Sequence, residues 1–129
     1  MPSSTHRIAL IPGDGVGREV IPAGVAVLKK VAQRHGFALD LVEFPWSCDF
    51  YLHAGRMMDA DGFDRLREFD AIYLGAIGAP AVPDHVSVWQ MLLPLRQRFE
   101  QYVNLRPMRL MRGVPSPLAG RGPSDVDMI

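Results

Sequence analysis

A strand signal, a glycine turn and a helical stretch follow one another at the start of this chain, and that succession leaves few architectures open. Ile8-Ala-Leu-Ile-Pro12 is a short apolar run that ends in Gly13-Asp14-Gly15, which reads as a buried strand and a tight turn. From Val16 to Gly36 the apolar positions Val20, Ala23, Val27, Leu28 and Val31 recur at helical spacing. Gly36 follows Arg34 and His35, where a C-terminal cap belongs. Pro22, in the first turns, predicts a bent or late entry. Phe37 to Pro45 alternates as a second strand, and Asp70 to Leu74 reads as a third, buried one. Short helices are expected over Ser47–Ala54 and Asp61–Phe69. A longer helix is expected from an N-cap at Ser87 to about Gln101, and a fourth strand from Val103 to Met111. Such alternation argues for an α/β layer structure with parallel strands.

Composition narrows the class of partner. Of 129 residues, 48% are hydrophobic and 22% charged, and the formal net charge is zero. These values describe a globular chain with no electrostatic reason to bind nucleic acid or an anionic membrane. The same neutrality predicts poor colloidal solubility near pH 7. One cysteine, Cys48, excludes an intramolecular disulfide and fits a reducing compartment. Ala71 to Val82 is broken by glycines and a proline and is too short to span a bilayer. The start, Met1 to Arg7, has no apolar h-region. A cytoplasmic location is expected.

The two glycine turns invite a nucleotide reading. Gly13-Asp-Gly-Val-Gly17 follows a strand and precedes a helix, but Arg18 stands where the dinucleotide-binding spacing needs its third glycine. On spacing alone a tight strand-to-helix turn is the better reading of those glycines. Asp14 is left free to point into a cleft at the strand's carboxyl end. Gly75-Ala-Ile-Gly78-Ala-Pro80 is either a second site of close approach to a flat or phosphorylated ligand or a plain loop.

Two arginines carry the substrate reading. Arg96 lies on the expected helix and Arg106 on the expected strand. Two guanidinium forks aimed at one spot suit a small acid with several carboxylates. The alternative is solvent-facing charge, which is the reading given to Arg98, Arg109 and Arg112. Trp89 precedes Arg96 by two helical turns, and Arg106 alternates with Asn104 and Met108. His85 reads as a surface residue. Asp49 and His53, one turn apart, lack a third metal ligand nearby. Met57, Met58, Met91, Met108 and Met111 read as core or pocket filler. Arg112–Pro123 reads as an exposed connection, and Ser124–Ile129 as the start of a strand, as expected of a piece of a longer protein.

Four motifs, in order, resemble the isocitrate/isopropylmalate dehydrogenase family: Ile8–Gly17, Asp70–Gly78, Leu92-Leu-Pro-Leu-Arg96 and Asn104-Leu-Arg-Pro107. Trp46-Ser-Cys-Asp49, Val82-Pro-Asp-His85, Ser87-Val-Trp89 and Tyr102-Val-Asn-Leu105 are most similar to its tartrate and D-malate dehydrogenase (decarboxylating) branch. Isopropylmalate dehydrogenases usually carry glutamate where Trp89 stands. The resemblance implies an isopropylmalate dehydrogenase-like α/β fold, not a Rossmann fold. Residues 1–100 would be the first part of the larger domain, and 101–129 the start of the second. It also implies NAD-dependent oxidation and decarboxylation of a (2R)-hydroxy dicarboxylic acid, with Mg²⁺ or Mn²⁺, in a homodimer. By motif match Arg96 and Arg106 would clamp substrate carboxylates, and Gly78, Ala79, Pro80, Val88 and Trp89 would line the cofactor. The family's catalytic tyrosine and lysine, its metal-binding aspartates and its adenosine loop have no counterpart in these residues. The chain alone is therefore expected to be inactive. A 3-isopropylmalate dehydrogenase and a non-catalytic nucleotide- or acid-binding remnant are the competing readings.

Overall fold

The computed structural model describes residues 4–129; Met1–Ser3, the first part of the stretch read for a leader, lie outside the described residues. The chain divides into two compact units, one running to Phe99 and the other from Glu100 to Ile129.

In the first unit, β1 (Thr5–Gly13), β2 (Ala38–Glu43) and β3 (Ala71–Ala76) form a parallel sheet with β1 in the middle, in the order β2-β1-β3. Thr5 aligns with Ala38 and Leu10 with Glu43, while Ile8 aligns with Ala71 and Gly13 with Ala76. A central parallel strand is covered on both faces and so is apolar throughout. That is why Ala9, Leu10 and Ile11 are all buried in succession. Ala9 and Ile11, with Val42, Ile72 and Leu74, face the main core. There they meet Phe44, Trp46, Met57, Leu66, Met91 and Leu95. Phe44 and Trp46 stack with ring centroids 4.4 Å apart, and Phe69 meets Phe44 edge-on at 5.7 Å.

The other face carries α1 (Gly17–His35). It begins at Gly17 despite Pro22 and ends where Gly36 takes the left-handed conformation, its N–H donating to the Ala32 carbonyl. The face it buries differs from the one its valines suggest. Gly17, Ile21 and Ala32 are buried, with Gly24 and Leu28 half-buried between them, whereas Val20, Val27 and Val31 are exposed. Small residues decide the matter because they let the helix axis approach the sheet closely. A Cβ on Gly24 would stand 1.9 Å from the Tyr73 hydroxyl.

α2 (Cys48–Ala54) is capped by Ser47, whose side chain accepts the Phe50 N–H at 3.0 Å. α3 is only Gly62–Leu66, shorter than expected. The helical segment after β3 corrects the expected cap. It starts at α4 (Asp84–Ser87), passes through a π-helical turn (Val88–Leu92) and ends as α5 (Leu93–Arg98). Ser87 is inside it, buried, and donates to the Asp84 carbonyl at 3.0 Å. Pro94 has no N–H for the carbonyl one α-turn back and its ring crowds that carbonyl. The turn before it widens, and the Leu93 N–H donates to Val88.

The second unit holds β4 (Met108–Arg109) and β5 (Asp127–Met128), paired antiparallel. The fourth strand is thus far shorter than Val103–Met111. Extended backbone becomes a strand only when paired, and among the described residues only Asp127–Met128 pairs with this stretch. Met108 and Met111 are exposed and are not core.

Candidate functional site

Three connections leave the carboxyl ends of β1, β2 and β3, the end of an α/β sheet where ligands bind. Asp14, in the turn after β1, is 3% exposed. It does not open into a cleft. Its carboxylate accepts the Cys48 N–H at 3.0 and 3.1 Å, the Asp49 N–H at 3.4 Å and the Gly78 N–H at 3.1 Å. Burial alone would raise its pKa, but the amides of Cys48, Gly78 and Asp49 outweigh that and hold it below 3.8. The Cys48 thiol beside it is pushed up to about 11, first by burial, then by its hydrogen bond to Asp14 and by the Asp14 charge.

Arg18, at the position of the missing third glycine, pairs with Asp49 and reaches the Gly13 carbonyl at 3.4 Å. His53 bonds the Asp49 carbonyl at 2.7 Å through Nδ1. Among the described residues no three His, Cys, Asp or Glu side chains converge as a metal site. His85 is exposed on α4.

Gly78, Ala79 and Pro80 come together. With Val82, Pro83 and Asp84 they line a shallow cleft of about 400 Å³. Gly78 has φ of +150°, a conformation that side chains rarely adopt, and a Cβ there would meet nothing within 4 Å. Val88 and Trp89 lie on the π-helical turn, outside the cleft lining, and Trp89 is 67% exposed. Open backbone and an exposed indole are surfaces that fit a dinucleotide. A larger cavity of about 770 Å³, between α1, β2 and α2, contains none of the expected site residues. Its walls are chiefly apolar, including Ile21, Val25, Leu41 and Phe44, with the Arg18–Asp49 pair and His53 also lining it.

Arg96 is exposed on α5 in the first unit, and Arg106 is exposed in the extended segment of the second. Among the described residues neither forms an ion pair, and neither do Arg34, Arg98, Arg112 and Arg121, whereas Arg7, Arg18, Arg56, Arg65, Arg67 and Arg109 do. Arg98 lies over the Phe63 ring at 4.3 Å. Sequence reasoning missed the Arg18–Asp49 pair and the closed role of Asp14. An acidic residue between two glycines at a strand end was the one available signal for the latter.

A parallel α/β sheet with its loops gathered at one end defines the class. The chain belongs to the isocitrate/isopropylmalate dehydrogenase family, whose profile matches residues 7–129. It is 56% identical to the D-malate dehydrogenase (decarboxylating) of Escherichia coli (strain K12), over 95% of this chain and 35% of that one. It is 51% identical to the tartrate dehydrogenase/decarboxylase of Pseudomonas putida, over 100% of this chain and 36% of that one. A crystal structure of a β-decarboxylating dehydrogenase from Thermococcus kodakarensis, in apo form, superposes with a TM-score of 0.66 at 26% identity. That match covers 95% of this chain and 40% of the other. The chain therefore spans about 35% of the length of the D-malate relative. The fold is isopropylmalate dehydrogenase-like, not Rossmann.

Proposed function

We propose that this chain supplies the first part of a dehydrogenase that oxidises and decarboxylates a small (2R)-hydroxy dicarboxylic acid such as tartrate or D-malate, using NAD and Mg²⁺ or Mn²⁺. The observation that carries this reading is the family match, with relatives named for these acids. It is supported by Arg96 and Arg106, which stand at the family's motif positions, exposed and without a carboxylate partner among the described residues. A guanidinium kept free of internal ion pairs is available to an incoming carboxylate. In this reading Arg96 and Arg106 are the residues of this chain that take substrate carboxylates. Gly78, Ala79 and Pro80 offer backbone to the cofactor, and Val88 and Trp89 an apolar wall. NAD supplies the hydride acceptor when bound. Loss of hydride and of the hydroxyl proton leaves the oxo acid, which then loses carbon dioxide.

Residues up to about 100 form the first part of the larger domain in this reading, and 101–129 open the second, through which two copies pair. The protein works in the cytoplasm, which is supported by the one free, buried cysteine. The groups that move the proton and hold the metal come from outside residues 1–129, so the chain alone is inactive. The test is an assay of the complete protein on a panel of 2-hydroxy acids with NAD and Mg²⁺ or Mn²⁺. NAD reduction with carbon dioxide release from D-malate or tartrate is the expected result. Turnover of 3-isopropylmalate alone, or of none of the acids, would overturn it.

A further inference from the structure

Asp14 is where three connections meet. The turn after β1 holds the residue itself, the first turn of α2 gives it the Cys48 and Asp49 amides, and the loop after β3 gives it the Gly78 amide. The Asp14 N–H in turn donates to the Ala76 carbonyl, just before that loop. Side-chain packing does not fix the Gly78 peptide on its outer side, since nothing lies within 4 Å of a Cβ there. Three N–H donors converge on two carboxylate oxygens. An asparagine in the same place has one acceptor oxygen, and its NH₂ would face a donor.

We propose that Asp14 is a positioning residue. It fixes the Gly78–Pro80 backbone against the end of β1 and the start of α2, and so sets the shape of the loop that meets the cofactor. Only the loop's use rests on the function proposed above; its fixing by Asp14 does not.

The test is amide hydrogen exchange on the 129-residue chain and its Asp14→Asn variant. Exchange at Gly78, Cys48 and Asp49 is expected to quicken on loss of charged hydrogen bonds by roughly tenfold or more beyond any change at Ala9 and Ile11 in β1, which report global unfolding. Unchanged exchange at Gly78 overturns the proposal, and so does an equal loss at every position. A second measurement needs no variant. As the unsubstituted chain is acidified, the amide-proton shifts of Gly78 and Cys48 should titrate together, with one midpoint below 3.8. The Cys48 thiol stays protonated throughout, and Asp49, paired with Arg18, is removed as a source by repeating the titration in Asp49→Asn. Separate midpoints, or no titration at Gly78, contradict the shared carboxylate. Neither measurement uses cofactor, so the outcome is independent of the substrate assay that judges the dehydrogenase reading.

Discussion

A Cβ on Gly75 would stand 2.2 Å from the carbonyl oxygen of Pro12, so β3 and the end of β1 touch through bare backbone. Gly17 meets the same oxygen from α1, where a Cβ would stand 2.0 Å away. One carbonyl thus holds strand, turn and helix at contact distance. Glycine is required at both positions by space, independently of any ligand.

Gly75→Ala should therefore destabilise the chain by about 3 kcal/mol, at the upper end of overpacking costs, because main chain cannot yield as a side-chain tip does. Gly122→Ala is the control. Its Cβ would come no nearer than 3.8 Å to Asp125, and it should cost less than about 0.5 kcal/mol. Urea unfolding of both variants measures the difference, and equal midpoints would contradict the close approach.

Asp14 makes stability depend on acid. A carboxyl whose pKa is depressed on folding adds stability that is complete above its ordinary value and is lost as pH falls through its folded-state value. The unfolding free energy should fall between about pH 5 and pH 1 more steeply in the native chain than in Asp14→Asn. At neutral pH, Asp14→Ala should cost about 2 kcal/mol, since it strands the buried Cys48 N–H and the part-buried Asp49 and Gly78 N–H donors. Parallel pH profiles for native and Asn chains would show that Asp14 is not the group responsible.

Cys48 should be inert. It is fully buried, and its thiol is pushed up to about 11, so thiolate is scarce at pH 8. An aromatic disulfide reagent should leave the folded chain unlabelled at that pH and titrate one thiol after denaturation. Stoichiometric labelling of the folded chain would contradict the closed packing around Asp14.

Trp89→Ala should change stability by less than about 0.5 kcal/mol, because the indole is two-thirds exposed. In the complete protein the same variant should raise the KM for NAD. A large stability loss with an unchanged KM would make Trp89 a packing residue instead.

The strands and their order of appearance were readable because the first and third apolar runs end in glycine and the second in proline, and Gly36 caps the first helix where local chemistry says it should. The buried face of α1 was not readable. Counting valines favours Val20, Val27 and Val31, but closeness to the sheet selects Gly17, Ile21, Gly24 and Ala32, and hydropathy does not reward a glycine for fitting. Ser87 misled because a hydroxyl in a helix serves equally well as a cap or as a donor to the preceding turn. Val103–Met111 has strand chemistry, yet pairing depends on what lies beside it. Motif order pointed to the Gly78–Pro80 loop and the two arginines as the residues proposed to meet cofactor and substrate. It could not reveal that Asp14 is consumed by backbone amides, since that depends on three segments meeting in space.

The most direct measurement is the preference of the complete protein for D-malate over D-lactate, which lacks the second carboxylate, in native, Arg96→Ala and Arg106→Ala forms. If the two guanidiniums grip a diacid, each substitution should raise the KM for D-malate roughly tenfold or more. At least one should also collapse the preference in kcat/KM. A preference that survives both substitutions, with the KM for D-malate unchanged, would mean that neither arginine holds the substrate.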